Sequence, residues 1–196
     1  MAIFFTADTH FGCDRTRIKS RRPFDSVEEM DYAMISNWNR VVRKDDIVFH
    51  LGDFGNHEVV KKLNGKVSLI YGNHEQYKKD FINNPREFIE ELRKMGFYSQ
   101  HPSGESRLTL TNGAEIILAH KPSVAANYDY HYFTLFGHIH EFQKIKTFGY
   151  NVGVDVNNFT PVDVGTVMHY MDVIFNIADK DVFIDDIDGI LEMLNN

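Results

Sequence analysis

Short apolar runs alternate with helical periodicity over the first half of the chain. Apolar runs bounded by polar residues predict three buried strands, at 2–6, 47–51 and 67–71. Apolar residues spaced three and four apart predict three helices, at 26–43, 58–63 and 85–95. Ser26 and Glu29 form a capping box at the start of the first helix, and Gly96 is a stop signal after the last. The first half is therefore predicted to consist of strand–helix units.

The pattern changes after Gly96, where strand-like segments follow one another closely. They lie at 97–101, 107–111, 114–119, 132–136, 142–148 and 150–154. Asn112 and Gly113 predict a two-residue hairpin turn between two of them. Two apolar stripes, at 164–175 and 183–194, predict closing helices. This order predicts an α/β fold in which two mixed sheets pack together with helices outside.

Composition and charge narrow the classes of protein. The chain has 196 residues, 43% of them apolar, which predicts a single domain over 1–196 with a sizeable core. The single cysteine excludes a disulfide framework and a cysteine-rich zinc site. No apolar run is long enough for a membrane helix or a secretory signal, which predicts a cytoplasmic protein with no membrane partner. The net charge of -7 argues against long nucleic acid as a partner but allows a small anionic substrate.

Five polar clusters each follow directly on a predicted strand. They are Asp8-Thr9-His10, Gly52-Asp53, Gly72-Asn73-His74-Glu75, His120 and Gly137-His138-Ile139-His140. Ligands bind open α/β sheets at the carboxyl ends of the strands, so these clusters are predicted to share one site. Residues two apart face the same side of an extended backbone, so Asp8 with His10, and His138 with His140, are each expected to aim at one point. The glycines before three of these residues allow close approach of the backbone to a bound group.

Each cluster also has an ordinary structural explanation. Asp-x-His and Gly-Asp occur in turns, Asn73 could cap a helix, and His120 could be a buried strand-end histidine. Gly-His-x-His is more specific, because two imidazoles on one face repel each other when both are protonated. All five clusters in this order, each at a strand end, are hard to obtain by chance.

The residue types predict a dinuclear metal site with nitrogen and oxygen ligands. Imidazole and carboxylate together favour two divalent transition-metal ions, with manganese preferred and iron, zinc or nickel as alternatives. The charge of two such ions outweighs Asp8, Asp53 and one hydroxide. The site would therefore be positive and would attract a phosphate ester.

These motifs, in this order from Asp8 to His140, resemble the calcineurin-like metallophosphoesterase family. The resemblance covers about two thirds of the chain and includes every core motif of that family. Three stretches resemble a compact bacterial or phage subgroup: Thr9-His10-Phe11-Gly12, Arg22-Pro23-Phe24 and Leu51-Gly52-Asp53-Phe54. The resemblance implies a four-layer αββα sandwich with two metal ions at the ends of the sheets.

The resemblance also implies a role for each site residue. Asp8, His10 and His140 would hold one metal ion, Asn73, His120 and His138 the other, and Asp53 would bridge both. His74 would not bind metal; like Asn73 it would contact the phosphate, and it would protonate or stabilise the leaving oxygen. Imidazole suits that role because its unperturbed pKa lies near neutrality. A hydroxide that bridges the two ions would attack phosphorus in line with the leaving group.

The expected function is hydrolysis of phosphate esters. The short chain has no cap domain, which favours a phosphodiester or small nucleotide-type substrate, with a phosphomonoester as the alternative. The protein-phosphatase branch carries Asp-Arg-Gly after Gly-Asp, whereas Phe54-Gly55-Asn56-His57 follows Asp53 here. A metal-binding scaffold for a protein partner is an alternative from another class, although a scaffold has no need of His74. The sequence indicates no oligomeric state.

Three features near these motifs each have two explanations. Cys13 stands where relatives often carry histidine, and an ordinary loop thiol is preferred over a soft neighbour of the first metal. The segment 15–22 carries five cations and predicts either a rim for the substrate phosphate or a solvated loop, with Arg22 as the predicted substrate contact. The aromatic run at 128–133 fits a sheet core or an interface better than base stacking.

Overall fold

A computed structural model describes residues 1–178 and contains two five-stranded sheets. The strands are β1 Ile3–Thr6, β2 Ile47–His50, β3 Lys66–Ile70, β4 Ser99–His101, β5 Glu105–Thr109, β6 Glu115–Ala119, β7 Phe133–Phe136, β8 Ile145–Lys146, β9 Gly149–Asn151 and β10 Val162–Asp163. The helices are α1 Asp14–Lys19, α2 Val27–Val41, α3 Asn73–Gln76, α4 Lys79–Asn83, α5 Pro85–Met95 and α6 Val164–Asp172. The 3₁₀ helices are His57–Lys62, Pro122–Tyr128 and Val154–Val156, and a π-helical turn at Val173–Ile177 follows α6.

Both sheets are mixed, which confirms the predicted fold class. The first sheet has the order β10-β1-β2-β3-β4, with β1 to β4 parallel and β10 antiparallel to β1. The second has the order β5-β6-β7-β9-β8, with β6, β7 and β9 parallel and both edge strands antiparallel. Together with the flanking helices they form the expected four-layer sandwich.

Two apolar cores lie on opposite faces of the first sheet. On one face, Met30, Met34 and Trp38 of α2 and Phe88 of α5 are buried against Phe4 and the neighbouring strands. Full burial of one such side chain contributes about 1.5–3 kcal/mol. The second core contains side chains from both sheets and from α6, so it lies where the sheets pack together. The strands are therefore held at a fixed relative position, and their ends can serve as a rigid frame.

Local signals predicted the long elements better than the short ones. Helix α2 begins after Ser26, whose hydroxyl accepts the Glu29 N–H at 3.1 Å. The capping box is incomplete, because the Glu29 carboxylate accepts from the Asp25 N–H instead of the Ser26 N–H. Helix α5 ends at Gly96 as predicted, with φ of 122°. Helices α1, α3 and α4 were not predicted, since they are too short to show periodicity.

Two other predictions were wrong in detail. The hairpin between β5 and β6 has a three-residue loop, because Leu110 N–H donates to Ala114 O and Gly113 adopts a φ of 85°. The predicted strand at 142–148 is reduced to Ile145–Lys146, and Phe142 is exposed in the preceding loop. The predicted helix at 183–194 lies outside the described residues.

None of the helices within residues 1–178 has the length and the hydropathy that crossing a membrane requires.

Parallel pairing fixes where the site forms. Strands β1, β2 and β3 run in one direction, so their carboxyl ends lie at one edge of the first sheet. The turns beyond them are joined by backbone hydrogen bonds, with Asp8 N–H donating to Gly52 O and His10 N–H to Asp53 O, both at 3.0 Å. Gly137 N–H donates to His120 O and so joins the ends of β6 and β7. Five strand ends therefore meet in one region.

Candidate metal centre

All seven predicted ligands follow these strand ends and come together. Asp8 and His10 follow β1, and Asp53 follows β2. The others are Asn73 after β3, His120 after β6, and His138 and His140 after β7. Strand ends distant in sequence thus supply one cluster of carboxylate, amide and imidazole groups, as the sequence predicted.

The backbone at five of these residues is left-handed, which contradicts the expected extended geometry of the i, i+2 pairs. The φ values are 58° for Asp8, 48° for His10, 57° for Asp53, 72° for His138 and 48° for His140. This region costs a residue other than glycine on the order of 1–3 kcal/mol. Hydrogen bonds hold the strained turns in place; for example, His138 N–H donates to Asp8 Oδ2 at 2.8 Å. The side chains therefore converge through tight turns that surrounding contacts impose, and not through strand alternation.

The first predicted ligand set forms a compact group. Asp8, His10 and His140 offer ligand atoms that all lie within 4.8 Å of one another. Asp8 Oδ1 and both ring nitrogens of His10 are buried without a hydrogen-bond partner. Buried polar atoms are costly unless they are paired, so this group fits a bound cation.

The second set converges on the Nε2 atom of His120. The Nδ1–H of His120 donates to Leu51 O at 2.8 Å, so in the neutral ring Nε2 carries a lone pair. Nε2 lies 3.0 Å from Asn73 Oδ1 and 3.2 Å from His138 Nδ1. Two ligand atoms that each lie about 2.1 Å from one ion are about 3.0–3.4 Å apart. The spacing of the donors therefore fits a metal ion between them.

Asp53 lies between the two sets. Its Oδ2 is 3.5 Å from His10 Nε2, and its Oδ1 is 3.5 Å from His120 Nε2. Each carboxylate oxygen thus faces a different ligand set. This geometry could let one carboxylate serve two metal ions.

The glycines around Asp8 and Asp53 leave no room for a side chain. A Cβ on Gly137 would overlap Asp8 Oδ2, and a Cβ on Gly72 would overlap Asp53 Oδ1. Both carboxylates therefore pack directly against backbone, as expected of glycines beside a bound group.

Burial shifts the pKa values of the carboxylates and of two imidazoles in the cluster in opposite directions. Burial raises the pKa of Asp8 and of Asp53 to about 6, because charged carboxylates are poorly solvated there. Burial and neighbouring imidazoles lower the pKa of His10 to about 2 and that of His138 to about 4. His10 and His138 are therefore neutral at pH 7, as metal ligands must be, and the carboxylates gain from a nearby cation.

Glu75 supports the Asp53 turn from beneath. Its Oε2 accepts from the N–H groups of Gly72 and Asp53 at 2.8 and 2.9 Å, and its Oε1 accepts from Phe54 N–H at 2.9 Å. Burial raises the pKa of Glu75, but the neighbouring His57 imidazole, 3.7 Å away, and the N–H donors of Phe54 and Asp53 outweigh burial and lower it. The buried carboxylate is therefore charged, and it fixes the position of Asp53.

His74 lies over the centre with half of its side chain exposed. Its Nε2 is 3.8 Å from Asp53 Oδ2, and its ring meets that of His10 edge to face. The backbone N–H of His74 donates a hydrogen bond to Asp53 Oδ1. His10, Asp53 and His74 also satisfy the spacing of a metal-binding group. The geometry alone therefore allows His74 either to bind metal or to act on a substrate above it.

The structure places Arg22 away from the predicted substrate contact. Its side chain has 0% exposure and forms a two-point ion pair with Asp155, at 2.7 and 2.9 Å. It also donates to the carbonyl oxygens of Asp8 and Thr9. Because these contacts engage the guanidinium inside the protein, Arg22 is positioned to support the Asp8 turn.

Asp155 belongs to the site, although the sequence motifs did not predict it. Its Oδ2 lies 2.8 Å from His140 Nδ1, so it orients that ring. Asp155 follows β9, whose carboxyl end lies beside that of β7. The rule that found the other clusters, a polar residue just after a strand, would have found this one too.

The basic segment at 15–22 is mostly helix α1, and its cations have different surroundings. Arg15 and Lys19 line a cleft of ≈ 330 Å³ that also contains four imidazoles of the centre. Arg17 pairs with Asp14, and Arg22 is internal. Cys13 lines the same cleft, and its Sγ lies 3.2 Å from Thr16 Oγ1 at the start of α1.

The aromatic residues at 128–133 pack outside the cleft, and two of them contact Arg107. The Arg107 guanidinium lies over the rings of Tyr128 and Tyr132, at 5.6 and 4.7 Å from their centroids. These tyrosines are absent from the lining of the cleft. Packing between loop and sheet therefore accounts for them, in line with the preferred structural explanation.

Comparisons with known proteins agree with this picture. The family model of the calcineurin-like phosphoesterase superfamily domain matches residues 1–172. The chain is 29% identical over 181 residues to the uncharacterized protein MJ1445 of Methanocaldococcus jannaschii, covering 85% of this chain and 89% of that protein. It is 35% identical over 81 residues to the Gene 66 protein of Mycobacterium phage L5, which covers 37% of this chain and 39% of that protein.

A solved structure shares the fold. The protein of unknown function AQ665 from Aquifex aeolicus superposes with a TM-score of 0.67 at 19% identity, covering 86% of this chain and 98% of that one. At this identity the likeness concerns the fold alone.

Proposed function

Because this chain belongs to the calcineurin-like phosphoesterase superfamily, we propose that it hydrolyses phosphate esters at a centre that holds two divalent metal ions. The position of Asp53 is the observation that carries the proposal. Its two oxygens face separate ligand sets, each 3.5 Å from one imidazole nitrogen. A site for a single ion would not need a carboxylate between two groups of donors.

The grouping of the donors supports a separate set of ligands for each proposed ion. Asp8, His10 and His140 would hold one ion, Asn73, His120 and His138 the other, and Asp53 both. Such ions would neutralise phosphate charge and lower the pKa of a bound water. Mixed imidazole, carboxylate and amide donors favour manganese, with iron, zinc or nickel as alternatives.

His74 is the residue best placed to act on the ester itself. It stands over the centre and is half exposed, so an imidazole N–H can reach a substrate oxygen. In the hydrolysis, a water oxygen adds to phosphorus as the water loses one proton, the ester P–O bond breaks, and His74 gives a proton to the leaving oxygen; the proton from water then restores His74. Asn73 offers a neutral amide oxygen, so it adds no negative charge that would repel the phosphate.

The open cleft supports a phosphodiester as the substrate. It adjoins a second cavity of ≈ 640 Å³, and the two share Lys19, Ser20, Glu141 and Phe142 in their linings. A diester carries a group on each side of phosphorus, and such a groove offers space for both. A phosphomonoester needs only the space at the centre and is the alternative. A metal-binding scaffold explains neither the cleft nor His74.

A metal-supplemented activity screen tests the proposal. Purified protein with Mn²⁺ should hydrolyse bis(p-nitrophenyl) phosphate faster than p-nitrophenyl phosphate, and chelation should abolish both activities. Linear dinucleotides, cyclic nucleotides and dinucleoside polyphosphates then narrow the substrate. Binding of two metal equivalents without turnover of any ester would favour the scaffold.

A further inference from the structure

The cleft beside the metal centre has a mixed lining. The imidazoles of His10, His74, His138 and His140 share it with the cations Arg15 and Lys19. The centre accounts for the imidazoles. It does not account for the cations, which come from helix α1 and not from a strand end.

Helix geometry places these two cations together. Arg15 and Lys19 are four residues apart, so they lie on the same face of α1. Arg17, on another face, pairs with Asp14 at 2.7 Å and donates to Phe24 O. Both Arg15 and Lys19 are exposed, and within residues 1–178 neither pairs with an acidic side chain. Their charges are therefore available to a ligand in the cleft.

A second cavity adjoins the cleft beside these cations. Lys19 and Phe142 border both cavities, and Arg21 lines only the second. Phe142 is 84% exposed, although a large apolar side chain usually packs against protein. An exposed ring beside cations suits a substrate with a flat organic part and anionic groups.

We propose that Arg15 and Lys19 bind a second phosphoryl group of the substrate, separate from the one that is hydrolysed. This inference rests on the proposed phosphoesterase function and names its substrate class: phosphoesters with a further phosphate, such as phosphorylated nucleotides. The proposed metal ions would offset the charge of the scissile phosphate, so two more cations would be in excess for a substrate with one phosphate. Glu141 lines the same cleft and offsets part of their charge, but the two cations still exceed this one carboxylate.

A matched pair of chromogenic esters isolates the second phosphate. Thymidine 5′-(p-nitrophenyl phosphate) is compared with the same compound carrying a 3′-phosphate, and both release p-nitrophenolate from the same bond. Wild-type protein with Mn²⁺ should show a kcat/KM about fivefold or more higher for the 3′-phosphorylated compound, mainly through KM. Equal values would overturn the proposal.

Three variants assign the preference to named residues. The double variant Arg15→Ala/Lys19→Ala should bring the ratio of the two kcat/KM values close to one. Glu141→Gln removes the opposing charge and should raise the ratio. Arg40→Ala removes an exposed cation on α2, away from the cleft, and should leave the ratio unchanged. A double variant that keeps the wild-type ratio would refute the assignment.

A binding measurement separates this proposal from the proposed function. Thymidine 3′,5′-bisphosphate and thymidine 5′-monophosphate are titrated into the Mn²⁺-loaded protein by calorimetry. Tighter binding of the bisphosphate, lost in the double variant, supports the second phosphate site even if neither ester is hydrolysed. Hydrolysis of both esters with equal binding of the two nucleotides supports the function and rejects the site.

Discussion

The carboxylate of Asp155 holds the ring of His140, with 2.8 Å between Oδ2 and Nδ1. The other oxygen of Asp155 accepts from Arg22 Nε at 2.7 Å, so a buried cation fixes the carboxylate in turn. Burial lowers the pKa of His140, but the hydrogen bond with Asp155 and the charge of Asp8 outweigh it and raise the pKa. Because Nδ1 is engaged, Nε2 is the nitrogen left for a metal ion.

Asp155→Asn should weaken metal binding without removing a ligand. An amide cannot orient and polarise the imidazole as a carboxylate does, and loss of such a partner costs about 10–100-fold in metal affinity. The measurement is a Mn²⁺ titration of the purified variant. Asp45→Asn, an exposed carboxylate elsewhere, is the control. Wild-type affinity in Asp155→Asn would show that the contact does not support the centre.

Arg22→Ala should destabilise the fold. It leaves the buried Asp155 carboxylate unpaired and removes the donors to the Asp8 and Thr9 carbonyl oxygens. Removing one partner of a buried pair costs about 3–5 kcal/mol in the free energy of unfolding. Urea denaturation of the metal-free protein measures it. If the variant instead lost substrate affinity at unchanged stability, Arg22 would be a substrate contact after all.

His74→Ala should retain both metal ions and lose most of its turnover. Loss of a general acid lowers kcat by about 10²–10⁴-fold. Elemental analysis gives the metal content, and a chromogenic diester gives kcat. A fall in metal content in this variant would assign His74 to the ligands, which its spacing to His10 and Asp53 also permits.

Asp53→Ala should reduce occupancy at both metal positions. The carboxylate faces both ligand sets, so its loss should affect both ions. His140→Ala is the contrast, since it should affect one position. Elemental analysis that finds one full equivalent of metal in Asp53→Ala would contradict a bridging role.

Metal affinity should fall as the pH drops through about 6. The pKa of Asp8 and of Asp53 is raised to about 6 in the metal-free protein, so below that value an ion must displace a proton from each. His10 and His138, with pKa values of about 2 and 4, stay neutral and do not compete in this window. The apparent Kd for Mn²⁺ at pH 5, 6 and 7.5 measures the effect. A Kd that is constant over this range would contradict it.

The same carboxylates predict a pH-dependent stabilisation. Their folded pKa lies above the unfolded value, so their contribution to the stability of the metal-free protein is lost as the pH rises through about 6. Bound metal reverses this loss by stabilising the charged form. The increase in Tm on adding Mn²⁺ should therefore be larger at pH 7.5 than at pH 5. An equal increase at both values would argue against the two carboxylates as ligands.

Strand ends were the most predictable part of the site. The polar residues that follow parallel strands lie at a known edge of the sheet, so the sequence alone predicts that Asp8, Asp53 and His120 share one site. Helix α2 was equally accessible, because Ser26 and its apolar spacing are local signals. Short elements such as α1 were not, since six residues show too little periodicity to separate helix from loop.

The sequence by itself determined the types of the predicted ligands, their order and their attachment to strand ends, because each of these depends on a few neighbouring residues. Only the tertiary structure decided how the ligands converge, since left-handed turns at Asp8 and His138 are imposed by hydrogen bonds across 130 positions. It likewise decided that Arg22 points inward to Asp155, 133 positions away, while Arg15 and Lys19 face the cleft. The local sequence shows that a residue is charged, but it does not show which group pairs with that charge. That partner depends on which distant strands the fold places beside the residue.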